Sequence, residues 1–230
     1  MSVFHSLLDA LHQAAVQRGQ ARSFIMPDRL GPVAGHGDFA LRPLLLDDEA
    51  EWGRVRWSND SWLAPWESGD PEGGAGLSFA QWVSRMRQAE AEGSGAVFAM
   101  VFQTAIVGQI SLGAIRYGSM RSGMVGYWVD RAHAGHGFAP LALALLGDWA
   151  LHDPSGPRLH RLEVAILPEN ARSLRVPAKL GMRSEGLRPG YMFVRGGWRD
   201  HLTFSLLADD IRTPLVGRLR SGDGDTPGKA

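Results

Sequence analysis

Residues 126–151 constrain this chain more than any other stretch. Gly126-Tyr127-Trp128-Val129 reads as a strand, Asp130 to Gly137 as a glycine-punctuated turn, and Phe138 onward as a helix. Leu141, Leu143, Leu145, Leu146, Trp149 and Leu151 make that helix apolar nearly all round, so it has to be deeply buried. A buried helix fed directly by a strand needs a sheet to lie against. The junction also carries chemistry. Gly135 and Gly137 let backbone come close to a bound group, and a helix N-terminus with free amides attracts anions, phosphates above all.

The flanking pattern supplies the sheet. Phe39 to Leu46 alternates as a first strand, and Asp47 or Asp48 is placed to cap a helix through Arg56. Trp57-Ser58-Asn59-Asp60-Ser61-Trp62-Leu63-Ala64-Pro65-Trp66-Glu67 reads as an aromatic loop, followed by a Gly-rich, mobile segment over 68–76. Ser78 opens a helix to about Glu92. Ala96 to Gln103, Ile106 to Tyr117 and Met124 to Val129 read as successive strands, the first two joined tightly enough for an antiparallel hairpin. Arg161 to Leu167 is a further strand. Asn170 to Leu180 is a helix, with Gly181 placed to end it. Met182 to Leu187 and Trp198 to Leu206 are the last strands, joined near Gly196-Gly197. Hairpins first, then strand–helix–strand–helix, then a hairpin, give a mixed α/β (α+β) sheet with flanking helices.

Outside this body, Phe4, Leu7, Leu8, Leu11, Ala14 and Ala15 repeat at helical spacing, and residues 19–37 form a Gly- and Pro-rich connector. The organisation expected is therefore a helical extension and connector over 1–37, a main α/β domain over 38–210, and a tail over 211–230 that is disordered from Gly217. The N-terminus has no basic start, and Asp9, His12 and Gln13 interrupt any apolar run, so it does not read as a signal peptide.

Composition excludes several function classes. The chain has 24 basic and 24 acidic residues and a formal charge of zero, which gives no field drawing it to DNA, RNA or an acidic membrane. It has no cysteine, so disulfides, thiolate metal sites and cysteine nucleophiles are ruled out, and a reducing cytoplasm fits. His133 and His136 stand three apart in a turn without an HExxH helix, which argues against a metal site. The third glycine of a dinucleotide fingerprint is replaced by Pro140, and no P-loop Gly-Lys-Ser/Thr is present.

A second segment sharpens the phosphate reading. In Pro168-Glu169-Asn170-Ala171-Arg172-Ser173, Asn170 and Ser173 lie three apart at a helix start and share a face. Asn170 offers donors and an acceptor suited to an amide-containing arm, or simply caps the helix; Ser173 offers a hydroxyl donor for a departing anion.

Together the strand, the Gly-X-Gly-X-Ala turn and the Asn-X-X-Ser…Lys-Leu-Gly run resemble the GNAT acetyltransferase superfamily. Trp62-Leu63-Ala64-Pro65-Trp66, Gly126-Tyr127-Trp128-Val129 and Trp198-Arg199-Asp200-His201 resemble its RimJ/RimL-like branch, which acetylates N-terminal amines of ribosomal proteins. The resemblance covers roughly residues 39–208. It implies the acyl-CoA N-acyltransferase fold, with a mostly antiparallel central sheet splayed at the cofactor site, and acetyl-CoA as donor. Ala134, Gly135, His136, Gly137, Phe138 and Ala139 would cradle the pyrophosphate. Trp128, Val129 and Asn170 would hold the pantetheine arm, and Ser173 would protonate the leaving thiolate. The family's usual Gln or Arg is Ala134 here, and Pro140-Leu141 replaces a frequent acidic residue and Ala.

By resemblance, the acceptor is a primary amine such as a ribosomal-protein N-terminus, and the enzyme is cytoplasmic, monomeric or homodimeric. Glu163 is the expected base, with Asp130, Glu67 and His201 as runners-up. Trp62 and Trp66, with Trp57, are expected to line an acceptor pocket. A small-molecule amine or antibiotic as acceptor, or a non-catalytic acyl-CoA-binding module, are the competing expectations.

Overall fold

The computed structural model describes residues 24–73 and 76–220. The stripe from Phe4 to Ala15 and the end of the chain beyond Arg220 lie outside the described residues. The sheet has seven strands: β1 (Phe39–Pro43), β2 (Ala96–Phe102), β3 (Ala105–Arg116), β4 (Ser122–Val129), β5 (Arg161–Ile166), β6 (Arg183–Val194) and β7 (Gly197–Leu207). Their order is β1-β2-β3-β4-β5-β7-β6. Every pairing is antiparallel except β4 with β5. The helices are α1 (Glu49–Ser58), α2 (Asp60–Leu63), α3 (Phe79–Ala91), α4 (Phe138–Leu151), α5 (Ala171–Lys179) and α6 (Val216–Arg220).

The period-two alternation of the strands sorts the core onto two faces. Phe98 and Met100 of β2 point into the larger cluster, with Leu141, Leu143, Leu146 and Trp149 of α4. Val97, Ala99 and Val101 of the same strand point the other way, to Trp82, Val83 and Met86 of α3. The apolar residues of α4 are buried nearly throughout, and Trp149 meets Phe98 of β2 edge-on at 5.4 Å and Phe24 edge-on at 5.2 Å. Residues 24–37 are thus part of the body. Leu30 pairs with Leu41 of β1.

Several expectations are corrected. Asp48 does not cap α1 through its side chain. Its carboxylate accepts the Leu45 amide and both terminal nitrogens of Arg42, each at 2.7 Å. The aromatic segment expected as a loop is a helical strap: α1 runs into α2 and then a 3₁₀ turn, Ala64–Trp66. β6 extends past Arg188-Pro189-Gly190, because a register shift between Arg188 and Met192 absorbs the breakers as a bulge. The hairpin turn is Arg195-Gly196, both at positive φ, which matches the twist of the flanking strands. The tail is ordered farther than expected: Val216–Arg220 is helical, and the chain from Ile211 onward packs on the body. Leu215 is fully buried, its amide donates to Asp148 at 2.8 Å, and Arg218 Nη1 reaches the Leu180 carbonyl at 2.6 Å.

One close approach fixes the placement of β4. Gly108 of β3 faces Val129, and a Cβ added there would lie 2.4 Å from the Trp128 carbonyl oxygen and 3.1 Å from Val129 Cα. Backbone atoms cannot yield as a flexible side chain would. Gly108→Ala is therefore expected to destabilise the fold by about 1–3 kcal/mol, the range for overpacking, as read by urea denaturation. An unchanged midpoint would refute this constraint.

Candidate active site

β4 and β5 pair only through Ser122↔Arg161, Gly123↔Leu162 and Met124↔Glu163. Beyond Met124 the two strands part. Val125 to Val129 and Val164 to Ile166 then face each other across a wedge without ladder partners on those edges. Parallel strands that separate leave main-chain N–H and C=O groups to be met by water or a ligand. The wedge opens toward the C-terminal ends of both strands, where the turn to α4 and the start of α5 lie.

The turn is built by backbone conformation. Gly135 (φ +91) and Gly137 (φ +79) occupy the left-handed region, and a Cβ at either would meet nothing within 4 Å. Glycine is needed for the dihedral rather than for space. Gly137 is the N-cap of α4 and provides no side-chain cap. Among the described residues, no group accepts the amides of Gly135, Gly137, Phe138 or Ala139. The orphan donors at the head of a buried helix fit a phosphate. His136 stacks on Phe138 with ring centroids 5.8 Å apart, which stiffens the outer side of the turn.

Facing this turn, Asn170 caps α5. Its Oδ1 accepts the Ser173 amide at 3.2 Å, which leaves its Nδ2 hydrogens for another partner. Asn170 therefore serves both readings of the sequence, as cap and as donor. Ser173 is half-buried. Its carbonyl is in an unusual state for a helix residue. The i+4 position is Pro177, which has no N–H to donate. The Tyr127 hydroxyl of β4 donates to that carbonyl instead, at 3.4 Å. Burial pushes the Tyr127 phenol well above its usual value, so it remains a donor throughout the neutral range. A strand and a helix on opposite sides of the wedge are thereby tied.

A second tie joins the turn to the strap. Asn59, almost fully buried, donates through Nδ2 to Asp130 at 2.7 Å and accepts the Arg131 amide at 2.8 Å. Asp130 also binds His133 Nδ1 at 2.8 Å. Burial alone would raise the Asp130 carboxyl, but the hydrogen bonds from Asn59, His133 and the Ala132 amide outweigh it and hold it below the usual carboxylate value. The stabilisation is full above the unfolded pKa of about 3.9 and is lost as pH falls through the lower folded value. The far end of the strap is fastened to β6: Ser68 bridges Val194, and the Gly69 amide donates to the Phe193 carbonyl at 2.9 Å. Buried Arg56 holds both Asp60 and Glu67. Trp62 lies between the guanidinium groups of Arg172 (4.5 Å) and Arg131 (5.5 Å), one from each lip of the wedge.

A wedge in the sheet, an uncapped helix head and an Asn-capped helix form one arrangement, and the comparison with known proteins agrees. The model of an acetyltransferase (GNAT) domain matches residues 38–183. The chain belongs to the GNAT acetyltransferase family. It is 34% identical over 105 residues to the probable N-acetyltransferase YjcK of Bacillus subtilis, a match covering 46% of this chain and 56% of that protein. It is 26% identical over 175 residues to the ribosomal protein uS5-alanine N-acetyltransferase of Escherichia coli, covering 72% and 87% respectively. Mycobacterium smegmatis RimJ, solved in complex with CoA-disulfide, superposes with a TM-score of 0.75 at 33% identity, over 84% of this chain and 94% of that one. The chain thus spans little more than half the length of YjcK and most of the length of the other two.

Within this GNAT domain the wedge brings together Trp128, Val129, the 134–139 turn, Asn170 and Ser173. Trp62 stands at its mouth. Trp66 lies farther along the strap, and Trp57 is 61% exposed beneath the Arg56 guanidinium. Glu163 sits where the wedge begins, on the face opposite α4. Its oxygens are engaged by Arg161 Nε at 2.6 Å and Arg188 Nη2 at 3.4 Å. Asn59, Tyr127, Arg131 and Arg172 escaped the sequence reading. The Pro at Ser173+4 was a legible signal for a freed carbonyl; the partners of Asn59, more than seventy positions away, were not.

Two outcomes follow from these ties. Asn59→Ala removes a buried side chain that bonds the half-buried Asp130 carboxylate and the Arg131 amide, and is expected to cost about 1–3 kcal/mol by chemical denaturation at neutral pH. A loss below the error of the fit would contradict the tie. Tyr127→Phe is expected to cost about 0.5–1.5 kcal/mol in the native sequence and measurably less in a Pro177→Ala background, where the residue-177 amide can take over the Ser173 carbonyl. Equal losses in a double-mutant cycle would show the two positions to be independent.

Proposed function

We propose that this chain transfers an acetyl group from acetyl-CoA to a primary amine, the N-terminal α-amine of a protein of the ribosomal class. The observation that carries the donor half is the combination of unaccepted amides at the head of α4 with the β4 edge beyond Met124, which has no strand partner toward β5. The amides of Gly135, Gly137, Phe138 and Ala139 suit a pyrophosphate. The β4 edge at Val129, with Asn170 Nδ2, suits the amide groups of a pantetheine arm, whereas the main chain of Trp128 is turned to β3, its carbonyl oxygen 2.4 Å from a Cβ placed on Gly108. The acceptor half is supported by relatives. The Escherichia coli protein is named for alanine acetylation of ribosomal protein uS5, and the Mycobacterium smegmatis structure is RimJ.

The chemistry is direct attack. The neutral amine forms a C–N bond at the thioester carbonyl while the C–S bond breaks. A main-chain amide on the open edge near Val129 stabilises the oxyanion. The Ser173 hydroxyl, at the head of α5, delivers a proton to the departing thiolate. Glu163 is held by the guanidinium groups of Arg161 and Arg188 on the face of the sheet opposite α4.

The test offers the purified chain acetyl-CoA with a library of peptides, free amino acids and polyamines, and reads free thiol and product mass. Acetylation of peptide N-termini is expected to exceed that of small amines. Preference for a small amine would replace the acceptor assignment, and no turnover with any amine despite CoA binding would support a non-catalytic binding module. Ser173→Ala is expected to lower kcat by about 100-fold or more, with CoA affinity changed less than about threefold. Equal losses in both would remove the acid role.

A further inference from the structure

A second proton must move before attack, because an ammonium has no lone pair. Among the sequence candidates, the carboxylates are all engaged: Glu163 by Arg161 and Arg188, Asp130 by Asn59 and His133, and Glu67 by Arg56. His201 is in a different state. It is 4% exposed on β7, and its Nδ1 lies 3.0 Å from the Arg199 carbonyl oxygen. A carbonyl only accepts, so Nδ1 carries the hydrogen and donates it. The neutral ring then presents its lone pair at Nε2, which has no partner among the described residues.

Register places that lone pair. Glu163 of β5 faces Ser205 of β7, and Ala165 faces Thr203. Residues two apart share a face, so His201, Thr203, Ser205, Ala165 and Glu163 all lie on one side of the sheet. Leu162, Val164 and Ile166 point to the other side, into the cluster with α4. Because β7 runs antiparallel to β5, the step from Ser205 to His201 moves from the closed end of the wedge to its open end. His201 stands there one strand spacing from β5, about 5 Å. The Arg199–Glu169 ion pair at 2.5 Å fastens the same stretch of β7 to the residue before Asn170. α5, with Ser173, packs on the α4 side, where Val176 and Leu180 join the larger core. Imidazole and hydroxyl therefore flank the end of β5 from opposite faces of the sheet, the arrangement needed when a nucleophile arrives on one side and a leaving group departs on the other.

We propose that His201, rather than Glu163, accepts the proton of the incoming ammonium, directly or through one water. The inference rests on the acetyl-transfer reading above. One proton passes from the ammonium to Nε2 and on to solvent. The neutral amine attacks and the C–S bond breaks. The second proton, from the new N–C centre, balances the thiolate by way of the Ser173 hydroxyl, so the net products are the acetamide, the free thiol and one proton.

Several charged or titratable groups face this imidazole. Tyr191 of β6 packs edge-on with ring centroids 6.0 Å apart, and Arg188, its register partner, donates to the Tyr191 hydroxyl at 3.0 Å. Glu169 comes from the β5–α5 turn, and Arg199 and Asp200 from its own strand. Burial is the largest influence and lowers the imidazole below its usual value; the Arg199 carbonyl and the Glu169 charge oppose it without reversing it. The ring is consequently neutral at pH 7 and ready to accept a proton.

The experiment is the pH profile of kcat/KM for wild type, His201→Gln and Glu163→Gln, each checked for native melting, together with imidazole rescue of His201→Ala. The acid limb of the wild type is expected below the ordinary imidazole value of about 6.5. That limb should vanish in His201→Gln with a loss in kcat of about 100-fold or more, and persist in Glu163→Gln. Added imidazole should restore part of the rate of His201→Ala, while KM for acetyl-CoA stays within about threefold. A limb retained in His201→Gln, or one abolished by Glu163→Gln alone, overturns the proposal and leaves the acetyl-transfer reading intact. Absence of turnover in the wild type with every amine overturns both. An NMR titration of the His201 ring nitrogens provides an arm that needs neither turnover nor a folded variant: hydrogen on Nδ1 and a pKa below about 6.5 are expected, and hydrogen on Nε2 or a higher value overturns the assignment.

Discussion

The parting of β4 and β5 after Met124 and Glu163 is the constraint on which the rest of the site depends. Hydrogen-bonded strands lie edge to edge with every polar group spent. Strands that diverge leave theirs available, and such groups have to be met by something that can bond them. The wedge is held open from outside. Gly108 sets how closely β3 holds β4, and β7 keeps β5 in line through the whole run Arg161↔Leu207 to Ile166↔Leu202. The larger core lies against one face, so the divergence occurs in a sheet that is otherwise well supported.

The gap is then crossed by side chains rather than by ladder bonds. Tyr127 reaches from β4 to a helix carbonyl that Pro177 leaves unclaimed. Asn59 fastens the strap to the end of β4, and Ser68 and Gly69 fasten it to β6, so the strap spans the open end and is secured on both sides. Arg131 and Arg172 close on Trp62 from the two lips. Each of these bonds is modest alone. Together they fix the width of an opening whose own edges provide no cohesion.

Much of this was legible in the sequence, because the strongest signals are local. The all-round apolar face of α4, the alternation of β2 and β3, the glycines at 135 and 137, and the Asn170–Ser173 spacing each announce a local geometry. What the sequence hid is long-range. The aromatic segment at 57–67 looked like a loop because Pro65 and a run of polar residues break its periodicity, yet Arg56 and Asn59 hold it helical through partners that no window reveals. Asp48 looked like a helix cap, but the Arg42 guanidinium, six positions earlier on a strand, claims its carboxylate. Arg161, two positions before Glu163 on the same strand face, was a legible partner for its carboxylate, but Arg188, two strands away on β6, was not.

The open space around Gly135 and Gly137 has a genetic consequence. Where a glycine is kept by crowding, as at Gly123 with Leu112 and Leu159 side chains within 3 Å of an added Cβ, trimming a neighbour makes room and restores the fold. At 135 and 137 there is no neighbour to trim. An L-side chain there is opposed by its own main chain, by about 1–2 kcal/mol, whatever surrounds it. Loss of either glycine is therefore a lesion without nearby suppressors: a compensating change has to stabilise the fold elsewhere, and the handedness of the residue itself remains the obstacle.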